Sequence, residues 1–361
     1  MGGAGPAVSR SYPEGRGAGS NPRNRFETIA LEMDWEALDD GWQDLMPAPK
    51  TQYLRDTTKT IISYNDAPDI PFRASINPYR GCEHGCIYCY ARTYHEYLGF
   101  SAGLDFESKI IVKEDAPKLL SKELSSRTWQ PQIIAMSGVT DIYQPVERRL
   151  KITRGCLEVL AAHRNPVGMI TKNGLIVRDI DVLAELARHQ AVSVLVSVTS
   201  LDESLWRVME PRTSCPTKRL DAIAKLNAAG IPAGVMVGPV IPGLTDDELP
   251  AILKAAGEAG ARFATYTVLR LPYGVGALFE QWLDEYFPER KKKIMDRVYA
   301  VHQGTPNTGA PDSRMRGAGA IADQIEFLFR MGCEKAGITN DRKPLSIESF
   351  RRDPKIRELF G

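Results

Sequence analysis

No run of apolar residues in this chain is long enough to cross a bilayer. The longest strongly apolar stretch, residues 191–198, falls far short of the roughly 20 residues a spanning helix needs. The opening residues, MGGAGPAVSRSYPEG, lack the apolar core of a signal peptide, and Pro6 stands where a myristoylation signal places Ser or Thr. These absences predict a cytoplasmic protein with no membrane partner. An excess of charge of one sign is also missing. With 46 basic and 45 acidic residues the formal charge is +1, which excludes a globally basic nucleic-acid coat but leaves a local patch open. There is no internal repeat. Apolar residues make up 43% and charged residues 25%, as in soluble globular proteins, so the chain is neither fibrous nor mostly disordered. A chain of 361 residues buries about three quarters of its unfolded surface and needs no disulfides to fold.

Residues 1–50 read as a largely disordered extension. The first thirty are rich in Gly, Pro, Ser and Arg, and residues 32–44 carry six acids and no base. Disorder is expected to about Arg25, with loosely docked structure after it. Residues 51–73 lead into a core at 74–289, and 290–361 form a basic helical segment with fifteen basic and nine acidic residues. Within the core, β-rich runs at 133–136, 167–171, 192–199, 234–240 and 263–269 join one more strand just before Cys82. Between them lie helical stretches at 149–163, 180–188, 218–229 and 248–260, closing near Gly230 and Gly260. Strand–helix alternation implies a parallel sheet with right-handed crossovers. Six units are too few for a full eight-stranded barrel, so the expected α/β fold is a partial (β/α)6, TIM-like barrel. A doubly wound sheet shares the pattern. After Pro272, helices are expected at 277–287, 292–302 and 321–336, with a loop over 303–318.

Three of the six cysteines, Cys82, Cys86 and Cys89, fall together in GCEHGCIYC, while Cys156, Cys215 and Cys333 are isolated. Clustered cysteines in a cytosolic chain more often bind metal than pair. A structural zinc site and a closed iron–sulfur cluster each want four ligands. Three thiolates on a [4Fe–4S] cube leave one iron open to another molecule. His84 could instead complete a Cys3His zinc site, in cramped geometry. Gly81 and Gly85 suit a loop whose backbone amides wrap an anionic cluster.

Spacing of three then two residues, with aromatic Tyr88 just before the last cysteine, resembles the radical S-adenosylmethionine (radical SAM) family. A helix is expected over residues 90–98, directly after the motif. The stretches NPYRGCEHGCIYCYA, TDIYQPVE, MITKNGLIVRD, SVTSLDESLWRVMEPR and VMVGPVIPGL are similar to its spore photoproduct lyase-like branch, from about residue 73 to 272. The resemblance implies a radical SAM-type barrel with a [4Fe–4S] cluster on Cys82, Cys86 and Cys89. Its open iron would chelate the amino and carboxylate groups of S-adenosylmethionine. An external reductant of flavodoxin or ferredoxin type would then drive cleavage to a 5′-deoxyadenosyl radical that abstracts hydrogen from substrate.

The resemblance also assigns residues. Thr140 and Asp141 stand where family members approach the cofactor's amino group, or else they cap the helix after Pro145. Lys172 stands where it would meet the cofactor carboxylate, and Ser197 matches a cofactor-contacting serine; a loop lysine and an ordinary strand hydroxyl are the plain readings. PVIPGLTD loosely resembles the family's G-x-I-x-G-x-x-E adenine motif, with Ile241 and Gly243 matching and Pro239 and Asp246 departing. Glu210, Arg212 and Arg219 either make structural ion pairs or meet the cofactor. Tyr88 and Tyr90 match two tyrosines through which the lyase, with a cysteine, returns a hydrogen atom to its substrate radical. They are the catalytic candidates. That cysteine position falls here on Gly138, so the donor is missing, and Cys215 could replace it only if its loop folds over the site. No second cysteine cluster follows the barrel, which argues against peptide-maturing and sulfur-inserting enzymes with auxiliary clusters. The expected function is lyase-like radical chemistry on a nucleic-acid or nucleotide lesion, with DNA repair as its setting. The substrate class rests on the branch and on the +6 charge of residues 290–361. Radical modification of RNA, protein or a small molecule stays open, as does a non-catalytic, metal-bearing nucleic-acid-binding module.

Overall fold

Strands form in the order the alternation predicts. The computed structural model describes residues 12–27, 49–339 and 342–354. Ten strands are present: β1 (Gln52–Arg55), β2 (Ile62–Tyr64), β3 (Ala74–Ile76), β4 (Tyr79–Arg80), β5 (Lys109–Val112), β6 (Ile134–Met136), β7 (Val167–Thr171), β8 (Val192–Ser197), β9 (Ala233–Val240) and β10 (Ala264–Val268). The longer helices are α1 (Ala116–Ser125), α2 (Ile152–His163), α3 (Ile180–Arg188), α4 (Pro216–Ala228), α5 (Leu249–Glu258), α6 (Gly274–Tyr286), α7 (Pro288–Val301) and α8 (Ala320–Lys335).

Six strands, β3 and β6 to β10, pair in parallel, each with the next in sequence. The spatial order therefore runs without reversal. A doubly wound sheet needs a switch point where the order reverses, so this winding is that of the partial barrel. β2 adds antiparallel at the β3 edge. β8 is buried along nearly its whole length, as parallel strands covered on both faces are. Val194, Val196, Val235 and Val237 join Leu157, Leu183, Ile223 and Ile252 in one core beneath the mouth.

Two expectations are corrected, and one sheet was not expected at all. Residues 12–27 are not a free tail: Arg16, Gly17 and Ala18 are buried. The rest of the proposed extension, 1–11 and 28–48, lies outside the described residues. The helix expected over 90–98 is two 3-10 turns, Tyr90–Tyr94 and Glu96–Leu98, joined at His95. Aromatic and β-branched residues there favour the α-helix little, and Arg92 turns inward to the cysteine loop. A second sheet, β1-β5-β4, went unread because its strands are short and pair across long sequence separations. No helix among the described residues is long and apolar enough to cross a membrane.

Candidate functional site

The cysteine loop follows β4 at the mouth of the barrel. Gly81 and Gly85 have φ of +78° and +68°, and these left-handed residues let the chain turn tightly around Cys82. The loop is held by its carbonyls. Fully buried Arg92 donates to the carbonyls of Cys86 (3.0 Å), Gly85 (3.2 Å), Ala102 (3.1 Å) and Gly103 (3.0 Å). Its charge is balanced by Glu107 at 2.5 Å. From the other side the Ile87 amide donates to Met209 and the Arg212 amide to His84, while the Arg212 guanidinium faces Glu83 at 3.7 Å. Glu83 accepts from Tyr53 (3.0 Å) and the Val146 amide (2.7 Å).

Cys82, Cys86 and Cys89 are unpaired thiols. Burial raises the pKa of all three, so the loop favours neutral thiols until a cation compensates their charge. His84 does not join them. Its Nδ1 lies 3.4 Å from Asp141 and its Nε2 3.1 Å from the Asn173 amide, so both ring nitrogens are engaged elsewhere. Among the described residues, no three His, Cys, Asp or Glu side chains gather closely enough for a single ion. Three thiols without a fourth side chain fit a cluster with one open iron better than a tetrahedral zinc ion.

Tyr88 points into the barrel. Its hydroxyl donates to Glu210 and lies 3.3 Å from Thr199 Oγ1. Glu210 is buried against Arg219, and that guanidinium also donates to the carbonyls of Ser197 (3.1 Å) and Ser214 (2.7 Å). Burial would raise the Glu210 pKa, but Arg219 and Lys172 bring it below its ordinary value. Glu210 and Arg219 are thus a structural ion pair. Beside them, Lys172 Nζ donates to Ser197 Oγ (2.8 Å) and the Gly238 carbonyl (3.0 Å), and lies 5.8 Å from the Tyr88 ring. Asp141 spends both oxygens on protein donors: Thr171 Oγ1 (2.7 Å), the Lys172 amide (2.7 Å) and the Tyr143 amide (2.9 Å). Burial would raise its pKa, yet His84 and these donors lower it to about 2. Thr140 Oγ1 donates to the Tyr79 carbonyl (3.0 Å), so both residues brace the wall from within.

Tyr90 lies at the other side of the mouth. Its hydroxyl donates to the Gly138 carbonyl, and the Arg270 guanidinium stacks 4.2 Å from its ring centre. Burial pushes its phenol up to about 12, against the pull of Arg270. Gly138 has φ +144°, and a Cβ there would meet nothing within 4 Å. Arg270 follows β10 and, among the described residues, has no carboxylate at ion-pair distance. Ile241 is buried in the cluster that holds Cys86, Ile87 and Tyr88. Gly243 instead sits in a turn gripped by α7, its carbonyl accepting from Arg290 at 2.7 Å. Cys215 lies at the N-terminus of α4 with its thiol 3.2 Å from Thr217 Oγ1, and shares none of these contacts. The roles of Arg92, Glu107 and Arg270 were not read from the sequence, where an isolated charge carries no mark of its partner.

A sequence model of the Radical SAM superfamily matches residues 76–256, half of the chain. Protein Rv2578c of Mycobacterium tuberculosis is 39% identical over 226 residues, covering 62% of this chain and 66% of that protein, just under two thirds of its length. Protein MJ0683 of Methanocaldococcus jannaschii is 28% identical, covering 62% of this chain and 80% of its own. Among solved structures, spore photoproduct lyase complexed with dinucleoside spore photoproduct aligns with a TM-score of 0.55 at 17% identity, covering 78% of this chain and 79% of that one. A variant of that lyase with bound AdoMet and the same dinucleoside aligns at 0.52 and 17% identity, covering 78% of each chain. At such identity the likeness concerns the fold. The chain belongs to the radical SAM superfamily, whose members use a [4Fe–4S] cluster and S-adenosylmethionine.

Proposed function

We propose that this chain is a lyase-like radical SAM enzyme acting on a nucleic-acid or nucleotide substrate. The observation that carries the radical SAM assignment is the loop of three unpaired thiols, two buried and one half-buried, without a fourth ligand, at the mouth of a six-stranded parallel barrel. When bound, the cluster and S-adenosylmethionine supply one-electron cleavage of the sulfonium and, through it, hydrogen-atom abstraction from substrate.

In this reading Cys82, Cys86 and Cys89 hold three irons. Lys172, oriented by Ser197, would offer its ammonium to the cofactor carboxylate; Ile241, packed with Tyr88, would line the cofactor's place, Thr140 and Asp141 would shape its wall from within, and Gly243 would act only through the turn that Arg290 holds. Tyr88 is held by Glu210, which orients its ring beside Lys172. Tyr90 and Arg270 face the substrate side. Arg270 has no carboxylate partner among the described residues, which supports a substrate that brings an anionic group such as phosphate. The spore photoproduct lyase structures bind a dinucleoside lesion, and the nucleic-acid class rests on that likeness together with Arg270. A second reading, radical rearrangement, is favoured by Gly138. An isomerisation can return the abstracted hydrogen from the carrier that took it and needs no thiol donor. A protein named radical SAM Nalpha-GlyT isomerase, from Pseudomonas phage M6, is 24% identical over 52% of its length.

The test is anaerobic reconstitution. The protein should bind about four iron and four sulfide and, with S-adenosylmethionine and dithionite, release 5′-deoxyadenosine. Cys82→Ala, Cys86→Ala and Cys89→Ala should each abolish both. Stoichiometric zinc with no iron would overturn the assignment.

A further inference from the structure

We propose that residues 12–27 are a positioning strap for the cysteine loop, holding Gly85 and Cys86 in the shape that presents the thiols. The claim that those thiols carry a cluster rests on the function proposed above; the mechanical coupling does not. The superfamily match starts at residue 76, so the strap lies outside the matched core.

The contact is backbone against backbone. A Cβ at Gly17 would lie 1.6 Å from the Gly85 carbonyl oxygen, so no side chain fits there. Space, and not a left-handed φ, demands glycine at this position. The amides of Gly17 (3.0 Å) and Ala18 (2.9 Å) donate to the two carboxylate oxygens of Glu107. The same carboxylate, itself fully buried, receives Arg92, the guanidinium that grips the Gly85 and Cys86 carbonyls. One acid thus joins the strap to the clamp on the loop. Arg16 reinforces the junction by donating to the Glu107 carbonyl (2.7 Å), and Ala18 packs in the cluster with Cys86, Ile87 and Tyr88.

Further along, the strap is fastened to both sides of the mouth. The Asn24 amide donates to the carbonyls of Glu96 (2.9 Å) and Phe100 (3.0 Å). Arg25 pairs with Glu96 at 3.1 Å and stacks 3.9 Å from the centre of the Tyr273 ring. Tyr273 follows the last barrel strand, is 70% exposed, and has φ +51° with ψ −129°, a backbone that residues other than glycine rarely adopt. A strained, exposed tyrosine engaged by the strap marks this contact as a latch between the segment after the cysteine motif and the segment after the last barrel strand.

The test reads thiol protection in the metal-free, full-length chain under anaerobic conditions. Alkylation of Cys86 by iodoacetamide is followed site by site by mass spectrometry, with buried Cys156 and Cys333 as internal controls. Gly17→Val should speed Cys86 alkylation at least tenfold and leave Cys156 and Cys333 unchanged. In the reconstituted protein, a ferrous chelator should remove iron several-fold faster from the variant. If Gly17→Val exposes every cysteine alike, Arg25→Ala decides, because it opens the latch without a clash. Selective exposure of Cys86 in that variant supports the strap. Unchanged protection of Cys86 in Gly17→Val, or in the deciding Arg25→Ala, overturns it. So does equal exposure of all cysteines in both variants, which makes the segment a general stabiliser. If the wild type takes up no iron while Cys86 still responds selectively, the cluster assignment falls and the coupling stands.

Discussion

Lys172 shows how much one side chain can be asked to do. Its ammonium is supported by a hydroxyl and a carbonyl and has no carboxylate at ion-pair distance among the described residues, so it remains available to an incoming anion. Lys172→Ala and Ser197→Ala should each weaken S-adenosylmethionine binding by about 1–3 kcal/mol while iron content stays unchanged, as measured by calorimetric titration of the reconstituted protein. Wild-type affinity in both would show that neither residue meets the cofactor. Glu210 makes a different case. Glu210→Gln leaves Arg219 buried without its counter-charge and should cost about 3 kcal/mol of stability in denaturant unfolding; a loss below about 1 kcal/mol would refute a structural ion pair. Family resemblance singled out Lys172 and Ser197 in the sequence, and the structure brings the two within hydrogen-bond distance. Glu210 and Arg219 were undecided there, since only packing shows which partner each charge meets. Arg92 was illegible, because an arginine beside a cysteine motif reads as a surface charge until its carbonyl partners are seen.

The crossover elements were the easiest to read. Strands β7 and β9 and helices α3 and α5 fall within two residues of their expected ends, because long apolar runs with alternating period leave few other solutions. Strands β1, β4 and β5 have two to four residues and take their pairing from distant segments, which local pattern does not record. The element that most shapes the chemistry is the turn after β6. Tyr90 is tied to the Gly138 carbonyl at the place where the lyase-like resemblance expects a thiol. A substrate radical formed beside that turn meets no donor sulfur from it. The reconstituted protein should therefore form 5′-deoxyadenosine yet give little or no clean repair of dinucleoside spore photoproduct, with side products seen by chromatography and mass spectrometry. Efficient repair would require another hydrogen donor, with Cys215 the first to mutate. Gly138→Cys would place a thiol in open space, at a φ that strains a side chain.

Across the whole molecule, the basic bias of residues 290–361 is less free than the bare count suggests. Arg314 pairs with Asp69 at 2.5 Å, Lys291 with Asp284 at 2.7 Å and Lys292 with Asp296 at 2.6 Å. Arg352 donates to the Trp129 carbonyl, and Arg316 and Arg342 stack on Tyr266 and Phe263. Arg314, Arg316, Arg342 and Arg352 thus fasten the C-terminal segment to the rest of the chain, while the two lysines are paired on the helix surface. If the substrate is a nucleic acid, few phosphates will be neutralised. The slope of log affinity against log salt should then be shallow, about −2 or less in magnitude, in anisotropy titrations with a labelled oligonucleotide. A slope of about −5 or steeper would reveal a broad electrostatic footprint. Charge counting in the sequence could not show this, because it does not distinguish a cation facing solvent from one already paired.

The fastening of residues 12–27 also imposes an order in time. These residues are synthesised before the partners they meet: Glu107 lies 90 positions on from Gly17, and Gln281, which receives Ser20 Oγ at 3.2 Å, lies 261 positions on. Contacts so distant in sequence close after local ones. The segment's contacts with Gln281 and Tyr273 can form only after Gly274–Tyr286 and the residue before it have been made. Before residues 12–27 seat, the Gly85 carbonyl would lack the cover that Gly17 gives it. If the loop is loaded with iron and sulfide, it would be most accessible between its own synthesis and the seating of residues 12–27 against it.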